Sequence, residues 1–70
     1  MSFEIAISSL KYGCRIQRKA WKEGFLIFEY EDIFSIEKRL LYICDNKRKP
    51  YVLTQEDFYS TDWEVLDVVL

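Results

Sequence analysis

The sequence has 70 residues, of which half are hydrophobic and 17% are aromatic, and its formal net charge is −2. This length predicts a single domain over residues 1–70, and the apolar content excludes a disordered chain. Histidine is absent and the only cysteines are Cys14 and Cys44, which argues against a zinc site; no metal or other cofactor is expected. The negative net charge argues against DNA or RNA as the main partner.

The first residues predict an amphipathic helix. Ser2 is suited to cap its start, and Gly13 is suited to the left-handed residue that follows its end. Between them, apolar side chains recur at the spacing of one helical face: Phe3, Ala6, Ile7 and Leu10. A strand is predicted to follow from Cys14, because apolar and polar residues alternate there.

The remainder of the chain predicts strands. They are Phe25–Tyr30, Leu40–Asp45 with a turn at 45–48, a short edge strand at Tyr51–Leu53, and Trp63–Leu70. Residues 33–39 fit either an extended hairpin or an irregular connection. Thr54 and Asp57 predict a capped helical turn before the last strand. The expected fold is therefore α+β, with one N-terminal helix packed on an antiparallel sheet of about five strands.

Binding groups are more evident than catalytic ones. Arg18, Lys19 and Trp21 follow the first strand, and a cation beside a flat ring can hold an anion while the ring stacks on a base. The alternative interpretation makes Trp21 a core or interface anchor and the cations a solvated rim. There is no histidine base, activated nucleophile or glycine-rich phosphate loop, so we expect no enzyme. The later polar and aromatic candidates are Tyr51, Gln55, Asp57, Asp62 and Trp63.

Two sets of motifs lie within residues 3–21 and 42–66. The first set is Phe3-Glu4-x-Ala6, Leu10-Lys11-x-Gly13 and Arg18-Lys19-x-Trp21. The second set is Pro50-Tyr51, Thr54-Gln55-Glu56-Asp57 and Asp62-Trp63-Glu64-Val65. In this order and spacing the motifs resemble a small phage and prophage domain, the second Thoeris anti-defence type. Members of that family are homo-oligomers, described as tetramers, that sequester glycocyclic ADP-ribose made by the Thoeris TIR enzyme. Some also hold cyclic dinucleotides at a separate site and so block CBASS signalling.

The resemblance implies roles for six residues. Trp21 and Tyr51 would stack on a base or ribose, and Arg18 would meet phosphate. Hydroxyls or a base edge would be fixed by the remaining three: Gln55, Asp57 and Asp62. The implied function is a phage protein that binds a nucleotide immune signal without cleaving it, in the cytoplasm of the infected bacterium. The partners would be that ligand and further copies of the chain, as a dimer or tetramer, with no membrane contact.

This sequence departs from the family pattern at three places. Lys22-Glu23-Gly24 replaces the usual Asn-Gly, Tyr51 replaces a frequent Trp, and a shortened middle has Cys44-Asp45-Asn46 in place of Ala-Asp-Gly. These differences leave open another nucleotide, or a surface that inhibits a host defence protein directly.

Overall fold

The structure, a computed structural model, describes residues 1–30 and 38–68, and the side chains of residues 1–29 and 39–66. Its elements are α1 (Phe3–Lys11), β1 (Cys14–Arg18), β2 (Phe25–Tyr30), β3 (Lys38–Cys44), β4 (Lys47–Pro50), α2 (Gln55–Tyr59) and β5 (Trp63–Val68). The strands form one antiparallel sheet in the order β4-β3-β2-β1-β5. The predicted α+β fold is confirmed. No helix in the described ranges is long and apolar enough to cross a membrane.

Both predicted helix caps are confirmed. The Ser2 hydroxyl accepts a hydrogen bond from the Ile5 amide, and Gly13 has a positive φ of 91° directly after the last turn of α1. At α2, Thr54 and Asp57 form a reciprocal capping box. Local side-chain chemistry therefore sets where both helices begin.

The predictions around the fourth strand were wrong. Asp45 and Asn46 both have positive φ, 52° and 62°, and form a two-residue hairpin turn. Because this turn is shorter than the predicted 45–48, β4 begins at Lys47, and Tyr51–Leu53 lies outside the strands. Pro50, which lacks an amide hydrogen, ends the edge strand β4. The ambiguous segment partly resolves: residues 38 and 39 open β3, whereas 33–37 lie outside the described residues, as do 69 and 70 of the predicted last strand.

The core lies under α1, on one face of the sheet. Its buried members are Phe3, Ala6, Leu10, Ile16, Leu26 and Trp63. In the described ranges α1 packs on β1, β2 and β5 and does not reach β3 or β4. The β3–β4 half of the same face, called the open half below, is therefore left uncovered by α1.

A row of cross-strand neighbours runs along this face, because residues paired across antiparallel strands project to the same side. From β5 to β4 the row is Val65, Ile16, Leu26, Tyr42 and Lys49. The row is apolar beneath α1, where Ile16 and Leu26 are buried and Val65 is half-buried. It becomes aromatic on β3 and ends in a cation on the exposed edge strand. The open half therefore differs in chemistry from the core beside it.

Gly24 packs closely against the Tyr42 ring, so a substitution at Gly24 tests the position of that ring. A Cβ built at Gly24 would lie 2.2 Å from the Tyr42 hydroxyl oxygen, and φ at Gly24 is +89°. Gly24→Ala should therefore displace the Tyr42 ring and destabilise the fold by more than the ~1–2 kcal/mol of left-handed strain alone. Gly13→Ala is the control, since Gly13 has a similar φ of 91° at an exposed position. If urea unfolding showed the same loss of unfolding free energy for Gly24→Ala and Gly13→Ala, the contact with the Tyr42 ring would be contradicted.

Candidate functional site

Three half-buried aromatic rings meet where α1 leaves the sheet uncovered, and we call Trp21, Tyr42 and Tyr51 the aromatic shelf. The ring centroid of Trp21 lies 5.6 Å from that of Tyr42 and 5.9 Å from that of Tyr51, in edge-on contacts. The centroids of Tyr42 and Tyr51 are 6.1 Å apart, with ring planes only 35° from parallel. These are favourable geometries for aromatic pairs.

The core and the backbone hold the shelf in place. The Trp21 ring packs edge-on against Trp63, with centroids 5.5 Å apart, and Trp63 is only 1% exposed. The Tyr42 hydroxyl donates to the Glu23 carbonyl at 3.1 Å. The Tyr51 amide donates to the Leu40 carbonyl at 3.0 Å, which fixes the chain just beyond β4. Contacts with the core and the backbone thus fix the positions of the three rings.

An ionic network borders the shelf and joins β1 to α2. Arg18 Nε donates to Asp62 Oδ1 at 2.9 Å, and Arg18 Nη1 donates to Asp57 Oδ1 at 3.2 Å. The other oxygen of Asp57 accepts from the Tyr51 hydroxyl and from the Thr54 amide. One buried carboxylate therefore connects the arginine, the helix cap and a ring of the shelf.

The protonation states follow from these contacts. Burial disfavours the charged form of Asp57, but hydrogen bonds from Tyr51, Thr54 and Arg18 outweigh it and hold its pKa below the ordinary value. The Arg18 hydrogen bond likewise lowers the pKa of Asp62. Burial, and then its bond to Asp57, raise the pKa of Tyr51, so this hydroxyl remains a neutral donor at neutral pH. The network is accordingly one cation, two carboxylates and a phenol.

A cavity of about 220 Å³ opens beside the Tyr42 ring of the shelf. It is lined by Tyr42, Cys44, Asp45, Lys47 and Lys49. Lys49 and Lys47 are the cross-strand neighbours of Tyr42 and Cys44, so both lysines project on the same face as the Tyr42 ring. Cationic and aromatic groups therefore adjoin in the open half.

Cys44 also belongs to a group that could offer ligands to a metal. Glu23, Cys44 and Asp45 place one ligand atom each within 4.8 Å of the others. Burial, followed by a hydrogen bond to Glu23, raises the pKa of the Cys44 thiol, whereas metals bind the thiolate. Because two lysines line the adjoining cavity as well, we assign no metal to this group.

The structure brings five of the six predicted site residues together. Arg18, Tyr51, Asp57 and Asp62 share the ionic network, and Trp21 contacts Tyr51. Gln55 lies apart, exposed in the first turn of α2. The ligand roles assigned to all six by resemblance stay predictions.

Trp21 combines features of both interpretations that the sequence left open. Its ring packs on the core through Trp63, yet the residue is only half-buried and forms part of the shelf.

Sequence reasoning missed Tyr42, Lys47 and Lys49. Tyr42 reaches the shelf only through its pairing with Leu26 across β2 and β3. Lys47 was placed within the predicted turn. The available signal was the Asp45-Asn46 pair, which is suited to a two-residue turn and would have placed Lys47 and Lys49 on one face of a strand.

The ionic network predicts acid sensitivity. Because the folded-state pKa of Asp57 and of Asp62 lies below the ordinary 3.8, their contribution to stability is present above about pH 4. It is lost as the pH falls from there through the lower folded-state values. Asp62→Asn cannot be protonated at this position, so its free energy of unfolding should fall less than the parent's between pH 5 and the acid limit of folding. Equal losses in acid urea titrations would contradict the network.

Comparison with known proteins identifies the family. None of the curated proteins matches the sequence. Residues 1–66 match the Tad2-like family, described as the Thoeris anti-defense 2-like domain. The match spans both helices, β1–β4 and most of β5, including the shelf and the ionic network. The chain therefore belongs to the Tad2-like family of Thoeris anti-defence domains, and its general function is phage anti-defence.

Proposed function

We propose that the chain counters bacterial defence by binding a nucleotide immune signal and sequestering it unchanged. The observation that carries this proposal is the aromatic shelf of Trp21, Tyr42 and Tyr51. Three fixed rings beside charged side chains suit a ligand with a flat base and anionic phosphates. The proposed signal is glycocyclic ADP-ribose or a cyclic oligonucleotide.

The state of the groups near the shelf favours binding over cleavage. Asp57 is ionised, buried and already accepts several hydrogen bonds, so its pKa is unsuited to a general acid at neutral pH. The Tyr51 hydroxyl has a raised pKa and is unsuited to a base. These groups instead order the site, which reduces the entropy lost when a ligand is held.

One incubation distinguishes sequestration from the other possibilities. The purified protein is mixed with glycocyclic ADP-ribose and a panel of cyclic dinucleotides, and freed of unbound ligand by gel filtration. It is then heat-denatured, and the released material is analysed by chromatography. We expect one nucleotide to co-elute with the protein and to return unchanged. An altered nucleotide would indicate an enzyme, and a panel that never co-elutes would contradict nucleotide sequestration.

The opposite sheet face favours a second candidate, direct contact with a protein. Phe25, Ile27 and Ile43 are half-buried there and line a shallow cavity of about 360 Å³ with two arginines, Arg15 and Arg48. Apolar side chains rimmed by cations are typical of a protein-binding surface. If the panel does not bind but the chain inhibits a purified defence protein directly, the inhibitor hypothesis replaces nucleotide sequestration.

Self-association is part of the proposal. A 70-residue chain forms a thin core, and both cysteines are free, so no disulfide supplements it. We expect a homodimer or homotetramer at micromolar concentration, measured by light scattering on the purified protein. Substituting Ile27 by aspartate, on the apolar face, should lower the mass if that face is buried between copies. A monomer of the parent chain would contradict this prediction.

A further inference from the structure

Two groups of cations lie near the shelf, Arg18 and the β4 lysines, and they differ in how many carboxylates surround them. Arg18 is enclosed by acids: Asp62 and Asp57 are hydrogen-bonded to it, and a Glu56 oxygen lies 3.9 Å from its Nη1. Its side chain is only 15% exposed. A phosphate reaching Arg18 would approach three carboxylates as well as one guanidinium, so repulsion would offset much of the attraction.

The two lysines of β4, unlike Arg18, have no acidic partner among the described residues and are open to solvent. Lys47 and Lys49 are exposed, and neither forms an ion pair with any described part of the chain. They line the same cavity as Tyr42, and Lys49 is the direct cross-strand neighbour of Tyr42. Asp45 lines the same cavity, and a Glu23 carboxylate oxygen lies within 4.8 Å of Asp45 and Cys44, but neither of these described acids forms an ion pair with Lys47 or Lys49.

Resting on the proposed function, we propose that Lys47 and Lys49 bind the phosphates of a nucleotide whose base stacks on the aromatic shelf. Arg18 is then a positioning residue: through Asp57 it fixes the Tyr51 ring and does not touch phosphate. The phosphate role assigned to Arg18 by resemblance is the competing hypothesis. The ligand class that this site takes is a nucleotide, with its base on the rings and its phosphate or diphosphate at the two lysines.

Nuclear magnetic resonance titration with ADP and adenosine tests this proposal, because the two share a base and differ in phosphate. Adenosine should shift the indole N–H signal of Trp21 alone, and ADP should shift it together with the β4 amides. In Lys47→Gln/Lys49→Gln the ADP affinity should fall about tenfold, to near that of adenosine, because two solvent-exposed ionic contacts are lost. Adenosine affinity should not change.

Lys11→Gln is the matched control for charge. Lys11 is an exposed lysine in the last turn of α1, and α1 does not contact β3 or β4 in the described ranges. This variant should bind ADP as the parent does. Arg18→Lys retains the charge but loses the planar fork, so it should weaken ADP and adenosine by the same factor through Tyr51 and lower the melting temperature.

The contrary results distinguish the two parts of the proposal, phosphate binding by the lysines and base stacking on the shelf. If the double lysine variant binds ADP like the parent, or Arg18→Lys weakens ADP but not adenosine, the phosphate assignment to β4 is wrong while stacking stands. If ADP shifts the β4 amides but neither probe shifts Trp21, the lysine site stands and the proposed nucleotide stacking fails. If neither probe perturbs either group, both proposals fall.

Discussion

Trp21→Ala is expected to weaken binding of the sequestered nucleotide about tenfold to a hundredfold. Stacking of a base on an aromatic ring is worth ~1–3 kcal/mol by alanine substitution, and about 1.4 kcal/mol corresponds to a factor of ten. The Trp21 ring is the member of the shelf that contacts both tyrosines, so its removal also loosens them. Affinity is measured by calorimetry with the nucleotide retained in the incubation.

Stability and affinity must be separated, because the Trp21 ring also packs against Trp63. Trp21→Leu retains apolar volume without an aromatic face and should bind nearly as poorly as Trp21→Ala, with a smaller loss of melting temperature. Trp63→Ala empties a buried site and should cost ~3–5 kcal/mol of unfolding free energy. Tyr12→Ala is the neutral control, since Tyr12 is 84% exposed. Unchanged affinity in folded Trp21→Leu would remove Trp21 from the site.

The second large effect is expected on stability, at Asp57. Asp57→Ala removes the carboxylate that accepts from Arg18, Tyr51 and the Thr54 amide at once. Hydrogen bonds to a charged partner contribute ~1.5–3 kcal/mol each, and the α2 cap is lost too. We therefore expect a loss on the order of 3 kcal/mol or more in urea unfolding, a large part of the stability of so small a domain.

The neighbouring acid supplies the control. Glu56 also faces Arg18, but its side chain is 81% exposed and 3.9 Å away. Glu56→Ala should change the free energy of unfolding by less than ~1 kcal/mol, as exposed ion pairs do. If Glu56→Ala and Asp57→Ala lose the same stability, the network does not depend on the buried carboxylate.

Features set by neighbouring residues could be predicted from the sequence. The α1 face, the Ser2 cap and the Thr54–Asp57 capping box depend on side chains within a few positions, and all three are confirmed. The sheet was expected from alternating and apolar runs. Capping and hydrophobic periodicity depend on residues close in the sequence, and the same patterns form the same local structures in many proteins.

The site could be predicted only in part, because its contacts join distant parts of the chain. Arg18 and its acidic partners are 39 and 44 residues apart, and the resemblance to the family named them without giving their pairing. Tyr42 joins the shelf through strand register, which no local pattern specifies. The β4 error came from one turn, where Asp45 and Asn46 adopt a backbone conformation that glycine more often supplies.

A nucleotide stacked on the aromatic shelf, as proposed, should perturb Trp21, and the two indole N–H signals test this directly. The Trp63 indole donates to the Asp57 carbonyl at 2.8 Å inside the core, whereas Trp21 lies on the shelf. Titration of the protein with the nucleotide that it retains, with Trp21→Phe used to assign the signals, should shift the Trp21 signal saturably and by more than that of Trp63. A retained nucleotide that leaves the Trp21 signal unmoved would contradict stacking on the aromatic shelf.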